Sequence, residues 1–315
     1  MGKTAFLFAG QGAQTVGMGH DFFLELPAAR RIYEMGESLS PGILHTCFEG
    51  DEGELRRTEN TQPCLFLTDL AIASALTAPA SEGGGGLRCD GVCGFSLGEL
   101  PALAFAEVLS AADAYRLVLL RGRTMADCAA AHPGGMVAVL KLPDEAVEEL
   151  CADHDGAYAV NYNCPGQVVC ALREDAVEDF CEGVRARGGR AVRLPVGGAF
   201  HTPYMKPATD ALRRALAGME IDPPARPIYA DLTGQPYPAL REGIIDTCSA
   251  QASSPVRFAT ALRNMRRDGF DTFIEVGAGR ALTGFVGRTL PDARVLTVTD
   301  LASFREACGA LAAAR

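Results

Sequence analysis

Three residues carry the chemistry this sequence can offer. Ser96 is the centre of Gly94-Phe95-Ser96-Leu97-Gly98, a GxSxG pattern. A strand-like run, Asp90–Cys93, precedes it and a helical pattern from Leu97 follows. That is the context of a nucleophile elbow, a turn so sharp that bulky neighbours would clash. The turn lifts the serine hydroxyl to a helix N-terminus, where the N–H of Leu97 can meet a developing oxyanion. The competing explanation is a chance match in a chain with 35 glycines. A serine nucleophile needs a base. Of the five histidines, His201 alone follows an apolar stretch, Leu194–Phe200, that leaves a strand and turns through Gly197-Gly198. A loop histidine beyond the serine in chain order suits a base, although a solvated surface histidine fits the same pattern. Arg121 is the third. Ala114, Leu117, Val118, Met125 and Cys128 share its helix face at spacings of three, four or seven. A guanidinium on so apolar a face needs an anion. An internal ion pair, snorkelling, and a bidentate clamp on a substrate carboxylate are all compatible with the spacing.

These residues need a scaffold. Ala5–Phe8 reads as a buried strand ending at Gly10-Gln11-Gly12, and Thr61–Leu76 as an apolar helix with Pro63 in its first turn. Gly83–Gly86 reads as a flexible surface loop. Ser110-Ala111-Ala112-Asp113 resembles a capping box that starts a helix to about Ala130. From Pro133 to Pro195 the order is strand, helix, two strands, helix, strand. This is the ferredoxin-like βαββαβ arrangement. Helices then span Tyr204–Met219 and Pro255–Asp268, with strands at Pro227–Ala230, Thr272–Glu275 and Val295–Val298. Alternation in the outer segments implies a mostly parallel sheet covered on both faces. The expected fold is therefore α/β. A large catalytic subdomain would comprise residues 1–132 and 196–315, with residues 133–195 as a small inserted subdomain.

Composition narrows the function classes. The 315 residues are 48% hydrophobic and 22% charged, a globular mixture. Lys+Arg number 29 against 39 Asp+Glu, a net charge of −10, which disfavours nucleic-acid binding. The most continuous apolar stretch, Ala102–Leu120, is broken by Glu107, Asp113 and Arg116, so nothing is expected to span a membrane. Eleven scattered cysteines without CxxC or HExxH spacing argue against a metal site and fit a reducing, cytoplasmic setting. The N-terminus fits neither a signal peptide nor a myristoylation pattern.

The motifs, taken in order, resemble a known family: the malonyl-CoA:acyl carrier protein transacylases and the acyltransferase domains of polyketide synthases. Phe8-Ala9-Gly10-Gln11-Gly12-Ala13-Gln14 is similar to its N-terminal turn, and Gly94–Glu99 to its nucleophile elbow. Leu120-Arg121-Gly122-Arg123 is similar to its carboxylate-binding helix, and Asn161–Gln167 to its NxNxPGQ loop. Ala199–Met205 is similar to its histidine segment. Ser254–Phe258 and Glu275–Gly279 resemble its two C-terminal motifs.

The resemblance implies a hydrolase-like core and ping-pong acyl transfer with no metal or redox cofactor. Malonyl-CoA would be the donor, and the phosphopantetheine of an acyl carrier protein the acceptor. It assigns Ser96 as nucleophile, His201 as base, and the backbone amides of Gln11 and Leu97 as oxyanion hole. Arg121 would hold the malonyl carboxylate, and the backbone carbonyl of Gln251 would orient His201. Phe95, Phe200 and Asn163 would line the substrate pocket, and the enzyme would act as a monomer. Phe95 stands where the family usually has His, and Ala278 where it has Pro. Gly198 would enlarge the pocket, and the ring of Phe200 would exclude an α-methyl branch, or serve only as core packing. The alternatives are a trans-acting polyketide acyltransferase, a proofreading thioester hydrolase, and a non-catalytic carrier-docking domain. Carrier proteins of this type are acidic, so docking would require a local basic patch. Arg185, Arg187 and Arg190 are the first candidates for it, and Arg263, Arg266 and Arg267 the second.

Overall fold

The computed structural model describes residues 2–312. Among the described residues, nine strands form two sheets. The larger sheet has the order β7-β2-β1-β8-β9, from β1 (Lys3–Phe8), β2 (Gly91–Gly94), β7 (Ile228–Tyr229), β8 (Phe270–Val276) and β9 (Arg294–Val298). Every pairing in it is parallel. Parallel strands are covered on both faces, which explains the unbroken apolar run of β1. Phe6 and Phe8 enter one core cluster while Ala5 and Leu7 enter another, as the two-residue period of a strand requires.

The smaller sheet is antiparallel, in the order β4-β5-β3-β6. It comprises β3 (Gly134–Leu140), β4 (Tyr158–Cys164), β5 (Gln167–Arg173) and β6 (Arg190–Arg193). With helices Asp144–Ala152 and Val177–Ala186 this is the ferredoxin-like arrangement. Val137 and Val139 pack on those helices, whereas Met136, Ala138 and Val160 face the large core cluster. The small sheet is thus joined to the main body by apolar packing.

Several expectations need correction. The helix around Pro63 runs from Thr58 to Thr77, so Pro63 lies inside it rather than in its first turn. The helix tolerates the lost hydrogen bond because it is apolar on every side and buried along most of its length. Gly83–Gly86 is no loose loop. The amides of Gly84, Gly85, Gly86 and Leu87 donate to the carbonyls of Pro79, Ala75, Ala78 and Leu76, closing the helix C-terminus. The expected layout has no helix or strand between residues 9 and 60, yet four helices lie there: His20–Glu25, Pro27–Leu39, Ile43–Phe48 and Glu52–Leu55. Helices Arg241–Ala250 and Leu301–Ala312 also escape it. No helix among the described residues is long and apolar enough to cross a membrane.

In a parallel sheet all strand ends of one kind share an edge. At the carboxyl edge, β1 leads into Gly10-Gln11, β2 into Phe95-Ser96, β7 into Ala230-Asp231 and β8 into Gly277. Open α/β sheets bind their ligands at this edge.

Candidate active site

Glycine is required on both sides of Ser96. A Cβ on Gly94 would lie 2.1 Å from the backbone of Gly98 and Glu99, and one on Gly98 would lie 2.2 Å from the carbonyl oxygen of Phe8. The turn is therefore backbone packed directly on backbone. Ser96 itself adopts φ 52° and His201 φ 62°, the left-handed region that non-glycine residues seldom occupy. Such strain persists only where the surroundings fix it, and it clusters at functional sites.

The two side chains meet. Ser96 Oγ is 2.7 Å from His201 Nε2. On the far side of the ring, His201 Nδ1 lies 3.0 Å from the Gln251 carbonyl oxygen and 3.2 Å from that of Ser254. Both partners can only accept, so Nδ1 carries the hydrogen and Nε2 is left to accept the serine proton. His201 is buried. Burial first, and the charge of Arg121 second, hold its pKa down to about 4. The ring is therefore a neutral base at pH 7.

Arg121 projects from helix Ala111–Ala131 and is buried. Its Nη1 donates to Gln62 Oε1 at 2.9 Å. Its Nη2 donates to Gln251 Oε1 at 3.0 Å and to Ser96 Oγ at 3.1 Å. No carboxylate among the described residues forms an ion pair with it; Glu99 and Asp231 act on it only through space, as does the Cys248 thiol. Burial lowers its pKa to about 10, which leaves the guanidinium charged at neutral pH. Of the readings the spacing allowed, the internal ion pair is not formed, and the charge is aimed at the Ser96 hydroxyl.

Behind the pair lies a polar network that sequence reasoning missed. Asp231 Oδ2 accepts from the Ser96 amide at 2.6 Å and from Gln251 Nε2 at 3.1 Å. Gln251 Nε2 also donates to the Ser96 carbonyl at 2.6 Å. Glu99 Oε2 accepts from the Asp231 amide at 2.8 Å, and Glu99 Oε1 from the hydroxyl of Tyr237. Burial raises the pKa of both carboxyls, and mutual repulsion raises that of Asp231 further. The available signals were weak: Asp231 directly follows an apolar strand, and Gln62 interrupts an apolar helix.

Because the Ser96 amide is spent on Asp231, it is not free to stabilise an oxyanion. The amide of Gln11 has no backbone acceptor among the described residues, and that of Leu97 lies in the turn Ser96–Gly98 directly after the serine. The two loops that carry them touch: a Cβ on Gly10 would lie 2.6 Å from the carbonyl oxygen of Phe95. The Phe95 ring packs against Phe258 and Phe285, with centroids 5.4 and 6.0 Å away. Phe200 is buried. Gly198 does not enlarge the space beside it, contrary to expectation. A Cβ there would lie 2.6 Å from Ala129 and 3.2 Å from the Phe200 ring, so the glycine admits close packing. Asn163 is buried on β4, and its Oδ1 has no partner among the described residues. A cleft of about 450 Å³ opens beside His201, lined in part by Tyr158, Val160, Tyr162 and Pro255.

The arrangement can deprotonate a serine hydroxyl and hold an anionic group beside it. Comparison with known proteins adds the chemistry of relatives. The model of the acyl transferase domain family matches residues 5–305. A malonyl CoA-acyl carrier protein transacylase of Bacillus subtilis is 34% identical over 309 residues, covering 95% of this chain and 94% of that protein. The crystal structure of a malonyl CoA-acyl carrier protein transacylase from Clostridium perfringens superposes with a TM-score of 0.91 at 36% identity, covering 99% of this chain and 98% of the other. A malonyl-transacylase solved in complex with its type II PKS acyl-carrier protein gives a TM-score of 0.91 at 31% identity, covering 98% of this chain and 99% of that one.

Proposed function

The chain belongs to the malonyl CoA-acyl carrier protein transacylases of the acyl transferase domain family, and we propose on that footing that it moves malonyl from malonyl-CoA to the phosphopantetheine thiol of an acyl carrier protein. The observation that carries the reading is the charged, buried Arg121 donating to the hydroxyl that His201 activates. A hydrolase for neutral acyl groups has no use for such a cation.

Ser96 Oγ attacks the thioester carbonyl as its proton passes to His201 Nε2. The tetrahedral oxygen is held by the amides of Gln11 and Leu97. Collapse breaks the C–S bond, and His201 returns its proton to the departing CoA sulfur. The carrier's thiol then gives its proton to His201 while its sulfur attacks the acyl-serine. Collapse now releases Ser96 Oγ, which recovers the proton. Gln251 O keeps Nδ1–H in place throughout. The substrate carboxylate meets both arms of Arg121, which Gln62 and Gln251 hold in position. No step changes an oxidation state, so the cycle needs no redox cofactor, and the guanidinium does the electrostatic work for which a metal would otherwise serve. Phe200 and Asn163 bound the acyl pocket, with Phe95 beside the nucleophile.

One chain supplies every one of these groups, so no second copy is needed to complete the site. Residues 133–195 form the small subdomain, with 1–132 and 196–315 as the catalytic one. The eleven cysteines are all free thiols, in keeping with a cytoplasmic enzyme that feeds fatty acid or polyketide synthesis.

The carrier docks on the face that presents Arg263, from the second of the two basic clusters, and Arg288. Arg185 and Arg187 are offset by Glu178 and Asp153, at 3.4 and 2.8 Å, and Arg267 by Asp268 at 3.4 Å. Arg263 is exposed and has no ion pair among the described residues, and the same holds for Arg288 on the neighbouring helix. Both helices reach the nucleophile turn through Phe258 and Phe285. We expect transfer from malonyl-CoA to holo-carrier protein to outrun hydrolysis. Reversing the charge at Arg263 and Arg288 should raise the KM for carrier protein and leave that for malonyl-CoA unchanged. Faster hydrolysis than transfer in the parent enzyme would point to the hydrolase, and an unaltered carrier KM in the variants would remove the docking face.

A further inference from the structure

We propose that Asp231 is a positioning residue that sets both the nucleophile and the carboxylate clamp by accepting hydrogen bonds from the Ser96 amide and the Gln251 carboxamide. The proposal rests on the transferase reading above and extends it to a residue outside the reacting set.

The geometry makes Asp231 a hub. It sits at the carboxyl end of β7, beside β2, and is buried. Its Oδ2 draws in two donors from distant parts of the chain, the amide of Ser96 and the Nε2 of Gln251. The first bond restrains the backbone of a residue held at φ 52°. The second decides which way the Gln251 carboxamide faces. With Nε2 turned to Asp231 and to the Ser96 carbonyl, Oε1 must point at Arg121, and it accepts from Nη2. Rotated by half a turn, the same side chain would present its NH₂ to a guanidinium that can only donate. Asp231 therefore orients Arg121 through Gln251, although it makes no hydrogen bond to Arg121 itself. Its main chain is fixed in turn: the amide donates to Glu99 Oε2, and the carbonyl accepts from the Arg257 amide at 2.7 Å.

Acceptor geometry, and not a negative charge as such, is what this role demands. Asp231 Oδ1 accepts from no donor among the described residues, and the Glu99 carboxyl lies within hydrogen-bonding reach of the Asp231 carboxyl. Asparagine could thus keep an oxygen at the Oδ2 position and place its NH₂ where Oδ1 now stands. Alanine keeps neither bond.

The test compares Asp231→Asn and Asp231→Ala with the parent enzyme by two readouts. One is the rate of Ser96 labelling by a fluorophosphonate probe, which reports the nucleophile without any acyl-CoA. The other is the ratio of malonyl to acetyl acylation rates, which reports the clamp. Circular dichroism melts establish folding. Asp231→Asn should keep both within about threefold. Misplacement of reacting groups by about 1 Å costs about 10²-fold, so Asp231→Ala should slow labelling by that order. With Arg121 no longer oriented, its malonyl/acetyl ratio should fall about tenfold. A folded Asp231→Ala protein with parental labelling and ratio would overturn the proposal. So would a folded Asp231→Asn protein that loses tenfold or more in either, and this second variant decides the matter if the alanine variant does not fold. A parent enzyme that labels with the probe but takes no malonyl group would instead contradict the transferase reading.

Discussion

His201→Ala slows acyl-enzyme formation by about 10²–10⁴-fold, the usual cost of losing a general base. His154→Ala changes it little, because His154 lies just past helix Asp144–Ala152, with Nδ1 2.8 Å from the Leu150 carbonyl. Stopped-flow release of CoA measures both, and equal losses in the two variants would remove His201 from its role. The same group sets the acid limb of the rate profile. Only neutral imidazole accepts the serine proton, so activity falls as pH drops through the pKa of His201. An ordinary histidine would give a limb near 6.5, whereas burial and Arg121 move it to about 4. The free enzyme, read by kcat/KM, should show the low value. Once a malonyl carboxylate neutralises Arg121, the second cause of the depression is gone, so the limb in kcat should lie at higher pH. Coincident limbs near 6.5 in both would show that the imidazole is not held neutral in this way.

Arg121→Ala is expected to depress malonyl acylation strongly and to favour acetyl over malonyl. The guanidinium is a planar fork that meets both carboxylate oxygens, which lysine cannot do. Hydrogen bonds to charged groups contribute roughly 1.5–3 kcal/mol. That corresponds to about one to two orders of magnitude in the malonyl/acetyl ratio. Arg121→Lys should fall between, keeping charge and losing geometry. A purely structural arginine would lower both substrates together and destabilise the fold. Its polar partners are neutral, Gln62, Gln251 and Ser96, so its removal strands no ion-paired carboxylate. Measured on folded protein, an unchanged ratio would falsify the clamp.

What could be read from the sequence follows from how local each constraint is. The tight turn at Ser96 was legible because Gly94 and Gly98 are dictated by backbone contacts around it. Arg121 was placed correctly on a buried face because Leu117, Val118 and Met125 repeat with the helix. The small sheet was legible from its strand–helix order, which the pairing of β3 with both β5 and β6 bears out. Helices His20–Glu25 and Ile43–Phe48 were not, since they are too short for a 3.6-residue period to register; Pro27–Leu39 was overlooked although Ala29, Tyr33 and Gly36 repeat along its buried face. Gly83–Gly86 misled because composition does not show where the backbone amides go. Gly198 misled because its neighbour Ala129 comes from helix Ala111–Ala131, far along the chain. Asp231, Gln62 and Glu99 stayed hidden for the same reason: their partners lie far along the chain, and a polar residue reveals its place only through the groups that satisfy it.

The central claim is that Ser96 carries the acyl group between donor and acceptor. Incubation with malonyl-CoA alone, followed by acid quench, digestion and mass spectrometry, tests it directly. The account predicts one malonyl adduct on the peptide that contains Ser96, absent from Ser96→Ala and discharged by holo-carrier protein. An adduct on one of the cysteines that survives Ser96→Ala, or transfer to carrier protein without any acyl-enzyme, would contradict it.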